Sequence, residues 1–148
     1  MKKQRTNLAI FFVIIAFVFD YSLAYSDSCK PNRINFDVCK EAKKIQGEIA
    51  QNLPQNLSRN LSLVSVLSNG PEISMTAQLT YTKAFLENNV KAAGQTMSQI
   101  DAKMQSFTRN YLCSNKVTKS FIGLGGRLMM NYRYSNGENA FNIVVKHC

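Results

Sequence analysis

The chain has one histidine and no tryptophan among its 148 residues, and its 9 acidic side chains are outnumbered two to one by 18 basic ones. Each scarcity removes a class of chemistry. His147 has no motif placing a serine, cysteine or carboxylate beside it, which argues against a catalytic triad. The acids are dispersed, and no two of them are marked as an acid–base pair. There is no Cys-x-x-Cys spacing, and His147 abuts Cys148 in a strand-like alternation, so the sequence offers no zinc ligand set. Gly123-x-Gly125-Gly126 follows a short helical pattern and precedes a strand pattern, the reverse of the order a phosphate-cradling loop requires. It reads as a helix stop and a tight turn. No catalytic residue, metal or cofactor is therefore expected, and the chain reads as a non-enzyme. Long apolar runs are missing as well: Leu8–Phe19 is twelve residues, against the roughly 20 that a membrane-spanning helix needs.

What is present begins with that short run. Lys2, Lys3 and Arg5 precede it, and Ser22-Leu23-Ala24 follows with small residues three and one positions before a cut. This is the grammar of a secretory signal peptide over residues 1–24, with the short lysine-led form of a bacterial one. Ser26-Asp27-Ser28 before Cys29 lacks the small apolar cluster of a lipobox, so Cys29 is expected to carry no lipid. The mature chain is then a single domain, residues 25–148, periplasmic or secreted, with no transmembrane helix.

Export changes how the four cysteines read. All four lie in the mature part, and an even number in an oxidising compartment favours disulfides. Of the three possible pairings, Cys29–Cys39 with Cys113–Cys148 is favoured, a local clip and a longer tie that joins a helix end to the last residue. Without residues 1–24 the chain keeps 15 basic and 8 acidic residues, a net charge of +7. Only Lys40, Lys43 and Lys44 cluster, and no arginine–aromatic interleaving appears, so nucleic-acid binding is not expected. Asn56-Leu57-Ser58 and Asn60-Leu61-Ser62 are glycosylation sequons, relevant only in a cell that glycosylates.

Periodicity gives the order of elements. Asp37 can cap a helix from about Val38 to Asn52, ended by Pro54. Leu61 to Leu67 reads as a strand, Ser68-Asn69-Gly70-Pro71 as a hairpin turn, and Ile73, Met75, Ala77, Leu79 and Tyr81 as the buried face of the next strand. Val90, Ala93, Met97, Ile100, Met104, Phe107 and Tyr111 form an apolar stripe expected to pack on the sheet. A short helix from about Lys116 to Leu124 follows. Leu128, Met130, Tyr132 and Tyr134 then face Phe141, Ile143 and Val145 across a turn at Asn136-Gly137. The predicted fold is α+β, with a small antiparallel sheet of about four strands in two hairpins, covered on one face by helices in the order α-β-β-α-α-β-β. Met97, Met104, Phe107, Tyr111, Tyr132 and Tyr134 are expected to form the core or a partner groove, with Met104 and Phe107 in the core.

Asn60-Leu-Ser-Leu-Val-Ser-Val, the strand Ile73 to Tyr81, the helix into Asn110-Tyr111-Leu112-Cys113-Ser114-Asn115, and Gly125-Gly126 before Tyr132-Arg133-Tyr134 and Val145-Lys146-His147-Cys148 resemble the β-type pilotins of bacterial type II secretion. The resemblance covers about 90 of the 124 residues after Ala24. It implies an α+β domain with a disulfide on Cys113 and Cys148, and a protein partner, the C-terminal tail of a secretin. Pilotins reach the outer membrane by an N-terminal lipid, and the missing lipobox departs from that pattern. The helix after Asp37 and the Cys29–Cys39 pair have no clear counterpart in the family. The alternative is a small periplasmic or secreted inhibitor or immunity-type protein that uses the basic surface.

Overall fold

The computed structural model describes residues 28–148. The signal peptide over residues 1–24 and the cut after Ala24 lie outside the described residues. Asp37 caps α1 (Val38–Ala50), its carboxylate accepting the Lys40 amide at 2.9 Å. The helix buries Val38, Ala42 and Ile45, an i, i+4, i+7 stripe. Three strands follow: β1 (Gln55–Ser58), β2 (Leu61–Asn69) and β3 (Glu72–Leu79). Gly70, at φ 57°, and Pro71 form the two-residue loop of the β2–β3 hairpin. The chain then crosses over through α2 (Lys83–Ala92), α3 (Met97–Ser114) and α4 (Lys116–Gly123). It returns as β4 (Arg127–Arg133) and β5 (Asn139–Val145).

The α+β class and the helical cover are as the sequence indicates, and three details differ. The sheet has five strands in the order β1-β2-β3-β4-β5, because the polar stretch before Leu61 supplies an edge strand that alternation alone does not mark. It is mixed rather than wholly antiparallel: β3 and β4 run parallel, with Met75 opposite Met130 and Ala77 opposite Tyr132. The cause is where the crossover ends. The Arg127 amide bonds the Pro71 carbonyl at 2.9 Å, so β4 starts beside the start of β3 and must run the same way. Finally, the long helical stripe is broken between Ala92 and Met97, where Thr96 and Gln99 form a reciprocal capping box that starts α3 afresh.

One face of the sheet is apolar. Ile73, Met75, Ala77 and Leu79 of β3 are buried with Leu128, Met130 and Tyr132 of β4 and Phe141, Ile143 and Val145 of β5. In β2 a bulge between Leu63 and Ser65 shifts the alternation, so that Leu61, Leu63 and Val66 all point inward while Val64 stays exposed. The exit from α4 is a Schellman turn. The Gly126 amide bonds the Phe121 carbonyl and the Gly125 amide the Ile122 carbonyl, both at 3.0 Å. Gly125 sits at φ +98°, and a Cβ on Gly126 would overlap the Phe121 ring.

Candidate partner-binding cleft

The helices do not seal the sheet evenly. Between the end of α1 with β1 on one side and the α3–α4 corner on the other lies an open cleft of about 380 Å³. Its floor is Leu63, Met75 and Met130 from three adjacent strands, and Ile49 and Leu57 form one wall. Tyr111 and Leu112 form the other, with Gln55, Ser114, Asn115 and Thr118 supplying polar groups. No acidic, basic or imidazole side chain lines it. Its apolar floor and walls suit apolar side chains, with hydrogen-bonding groups at the rim for a backbone.

The α3–α4 corner is held in several ways. The Asn115 side chain accepts the Val117 and Thr118 amides at 2.9 and 3.3 Å, capping α4, and the Thr118 hydroxyl donates to the Leu112 carbonyl. The Cys113–Cys148 disulfide anchors the end of α3 to the chain's last residue. A second disulfide joins Cys29 to Cys39 at the start of α1. The Asp37 carboxylate lies within 4.8 Å of those sulfurs, but they are bonded to each other and the carboxylate caps the helix.

The helix face that meets the sheet differs from the predicted stripe. Thr108 and Leu112 are its buried residues, with Ile100 and Met104 packed partly against the core, an i, i+4, i+8, i+12 line. A threonine can occupy this line because its hydroxyl is satisfied: it lies 2.7 Å from the Met104 carbonyl and 2.7 Å from the Tyr132 hydroxyl. That rotation turns Phe107 outward, correcting its expected place in the core. Phe107 is 48% and Tyr111 43% exposed, and their rings stack at 6.3 Å along the outer side of α3. The pair makes an aromatic ledge that runs into the cleft through Tyr111.

The six sequence-marked residues therefore separate. Tyr132 and Tyr134 are core, and Met104 packs partly against it. Tyr111 lines the cleft and Phe107 extends it, while Met97 is half-buried at the start of α3. Tyr132 also packs edge-on to Phe141 at 6.2 Å. Burial pushes the Tyr132 phenol above its usual pKa, the Thr108 hydrogen bond works the other way, and Tyr111 adds to the rise. Burial raises Tyr81 and Tyr134 as well, with Glu87, Tyr81 and Glu138 adding to the effect on Tyr134. The cleft's apolar lining from Ile49, Leu57, Leu63, Met75 and Met130 was not marked as a site, because strand and helix periodicity identify buried faces and not the gaps between them.

This layout, a sheet with one helical cover and a crossover between its hairpins, is the pilotin-like fold. Among solved structures it matches the pilotin EpsS of the Vibrio vulnificus type 2 secretion system, with a TM-score of 0.57 and 15% identity over 73% of this chain and 86% of that one. It also matches a Pseudomonas aeruginosa protein provisionally classed as secreted, with a TM-score of 0.56 and 11% identity over 73% and 88%. The type II pilotin AspS of Vibrio cholerae aligns over 73% and 87% at 14% identity, with a TM-score of 0.48. No protein-family model and no curated protein sequence matches the chain. At these identities the likeness establishes the fold.

Proposed function

We propose that the protein is a non-enzymatic, extracytoplasmic binding module of pilotin-like fold, and that its cleft takes an amphipathic segment of a protein partner, with the C-terminal tail of a secretin as the leading partner. The observation that carries this reading is the uncharged apolar cleft continued by the Phe107–Tyr111 ledge. An amphipathic helix presents apolar anchors at i, i+3 or i+4 and i+7, the kind of face an apolar groove accepts. The two disulfides fit an oxidising compartment, and among the described residues no helix is long and apolar enough to cross a membrane. The Cys29–Cys39 bond supports an unlipidated form, since a sulfur bonded to sulfur cannot also hold a thioether-linked lipid.

Titration calorimetry of the periplasmic protein with a synthetic secretin C-terminal tail tests the reading. Binding should persist at about 0.5 M salt, where charges are screened well inside the roughly 8 Å Debye length of physiological salt. It should be lost on Tyr111→Ser and on Leu57→Asp. Binding that vanishes with salt and ignores both substitutions would move the contact to the basic surface and favour the inhibitor reading. No binding of any secretin tail would remove the proposed partner.

A further inference from the structure

The segment before α1 is held more tightly than the approach to a helix requires. Cys29 is bonded to Cys39, and the Val38 amide donates to the Cys29 carbonyl at 2.8 Å. Inside that loop the Asn32 side chain accepts the Phe36 amide and donates to the Phe36 carbonyl, both at 2.8 Å. The same amide group reaches the Leu124 carbonyl at the end of α4, at 3.2 Å. Asn35, at φ 58°, turns the chain at the tip, a conformation that asparagine tolerates. What these ties hold outward is apolar. Ile34 is 71% exposed, the most of any large apolar side chain among the described residues. Two residues on, Phe36 lines a hollow of about 390 Å³ with Phe121 and Leu124 of the α4 end, and the half-exposed Val117 lines it as well. A lone exposed isoleucine needs no explanation, but one fixed outward by a disulfide and a side-chain clamp beside a second apolar surface does.

The uncompensated charge around this surface is positive. Arg33 precedes Ile34, Lys116 lines the same hollow, and Lys40 and Lys44 line a second one that shares Phe36 and Glu41 with it. Arg33, Lys40 and Lys116 have no ion-pair partner among the described residues, whereas the nearby acids are engaged. Asp37 caps α1, and Glu41 pairs with Lys44 at 3.9 Å. We propose that this face docks on a bilayer containing anionic phospholipid. Ile34 and Val117 enter the headgroup region, and Arg33, Lys40 and Lys116 meet the lipid phosphates. Interfacial binding draws on this combination of a small apolar surface and basic side chains around it. A second copy of the chain is a poor occupant, because a two-fold axis would set these cations against themselves. The course of the chain points to a membrane instead. Leu8–Phe19, which the sequence marks as part of an export signal, ends ten residues before Cys29 at the root of the loop. That is a tether of at most about 36 Å. The inference rests on the extracytoplasmic reading above. The cleft reaches Ile49 at the other end of α1 and stays free when the loop is docked.

Co-sedimentation with sucrose-loaded vesicles tests this, using the protein purified from the periplasm of an expressing bacterium. It should partition onto equimolar phosphatidylethanolamine and phosphatidylglycerol but not onto phosphatidylcholine alone, and added salt should weaken the association. Lys40→Gln and Lys116→Gln should each lower the partition coefficient about 5-fold. Ile34→Ser should lower it about 5- to 30-fold and leave the salt dependence as it was. Arg133→Gln removes the same charge at the far end of β4 and should act by less than about 2-fold. All four side chains are exposed, so the variants should fold and melt like the parent. Equal effects of Arg133→Gln and Lys116→Gln would reduce the attraction to net charge and overturn the proposal. So would an absence of partitioning at about 5 mM lipid, far above the reciprocal of the roughly 10⁴ M⁻¹ that a single acyl chain gives. Loop variants that shift a monomer–dimer equilibrium and leave vesicle binding intact would assign the face to a second copy instead. Tyr111→Ser and Leu57→Asp should not alter partitioning, so failure of membrane docking and failure of partner binding in the cleft are separate results.

Discussion

Thr108→Val is the sharpest probe of how α3 is seated. The threonine hydroxyl carries one proton and lies 2.7 Å from both the Met104 carbonyl and the Tyr132 hydroxyl. A carbonyl only accepts, so Thr108 donates to Met104 and Tyr132 donates to Thr108. Valine keeps the shape but removes the acceptor, leaving the Tyr132 hydroxyl unpaired on a residue only 1% exposed. An orphaned buried donor costs about 1–3 kcal/mol. Tyr132→Phe is asymmetric to this: Thr108 keeps its bond to the Met104 carbonyl, so only one net hydrogen bond is lost, at about 0.5–1.5 kcal/mol. The double variant removes both partners together and should cost less than the sum, and no more than Thr108→Val alone.

Urea denaturation at neutral pH reads the three differences directly. Thermal midpoints should fall by roughly 3–6 °C per kcal/mol for a domain of this size. Thr108→Ser, which keeps the hydroxyl and loses a methyl, separates the hydrogen bond from packing. Additive effects in the double variant, or a Thr108→Val loss no larger than that of Tyr132→Phe, would refute the donor assignment and with it the claim that a satisfied threonine sets the rotation of α3.

Three further outcomes are expected. Phe107→Ala should cost under about 1 kcal/mol, since half the ring is already in water, whereas buried Leu112→Ala on the next turn should cost about 2–5 kcal/mol by chemical denaturation. Replacing Cys113 and Cys148 by serine should lower stability by about 2–5 kcal/mol in oxidised samples, because the bond closes a 35-residue separation in the unfolded chain; equal stability of oxidised wild type and variant would contradict it. Tyr81, Tyr132 and Tyr134 have raised folded-state pKa values, so their neutral forms are favoured in the folded chain. Their contribution is intact below about pH 10 and is lost as pH rises past the unfolded tyrosine value through the higher folded one, a decline that Tyr132→Phe should lessen in alkaline melts.

Much of the fold was legible because its signals are local. Asp37 marks its own helix, Gly70-Pro71 its hairpin, and Ile73 to Leu79 its buried face by strict alternation. The parallel β3–β4 pair was not, since strand direction depends on where a crossover of nearly fifty residues ends, here with Arg127 bonded to Pro71 at the start of β3. The break before α3 left a readable trace in Thr96 and Gln99, which an apolar stripe running through Ala93 and Met97 outweighed.

The cleft was hidden for a related reason. Apolar periodicity assigns a side chain to the core by its type, so Phe107 reads as buried and Thr108 drops out of the stripe. The structure has them the other way round: Thr108 is buried, its hydroxyl paired with Tyr132 and so inexpensive inside, and Phe107 is half exposed. Once α3 is turned by that bond, its aromatic flank cannot reach the sheet, and the space beside Leu63, Met75 and Met130 stays open instead of filling. The same contact therefore seats the helix and leaves the cleft: removing the hydroxyl pair with Thr108→Val/Tyr132→Phe should let α3 rotate toward the predicted stripe and reduce the exposure of Phe107. Slower quenching of Phe107→Trp fluorescence by iodide in the double background would show that rotation, and unchanged quenching would place the cause of the open cleft in the Asn115 corner and its disulfide.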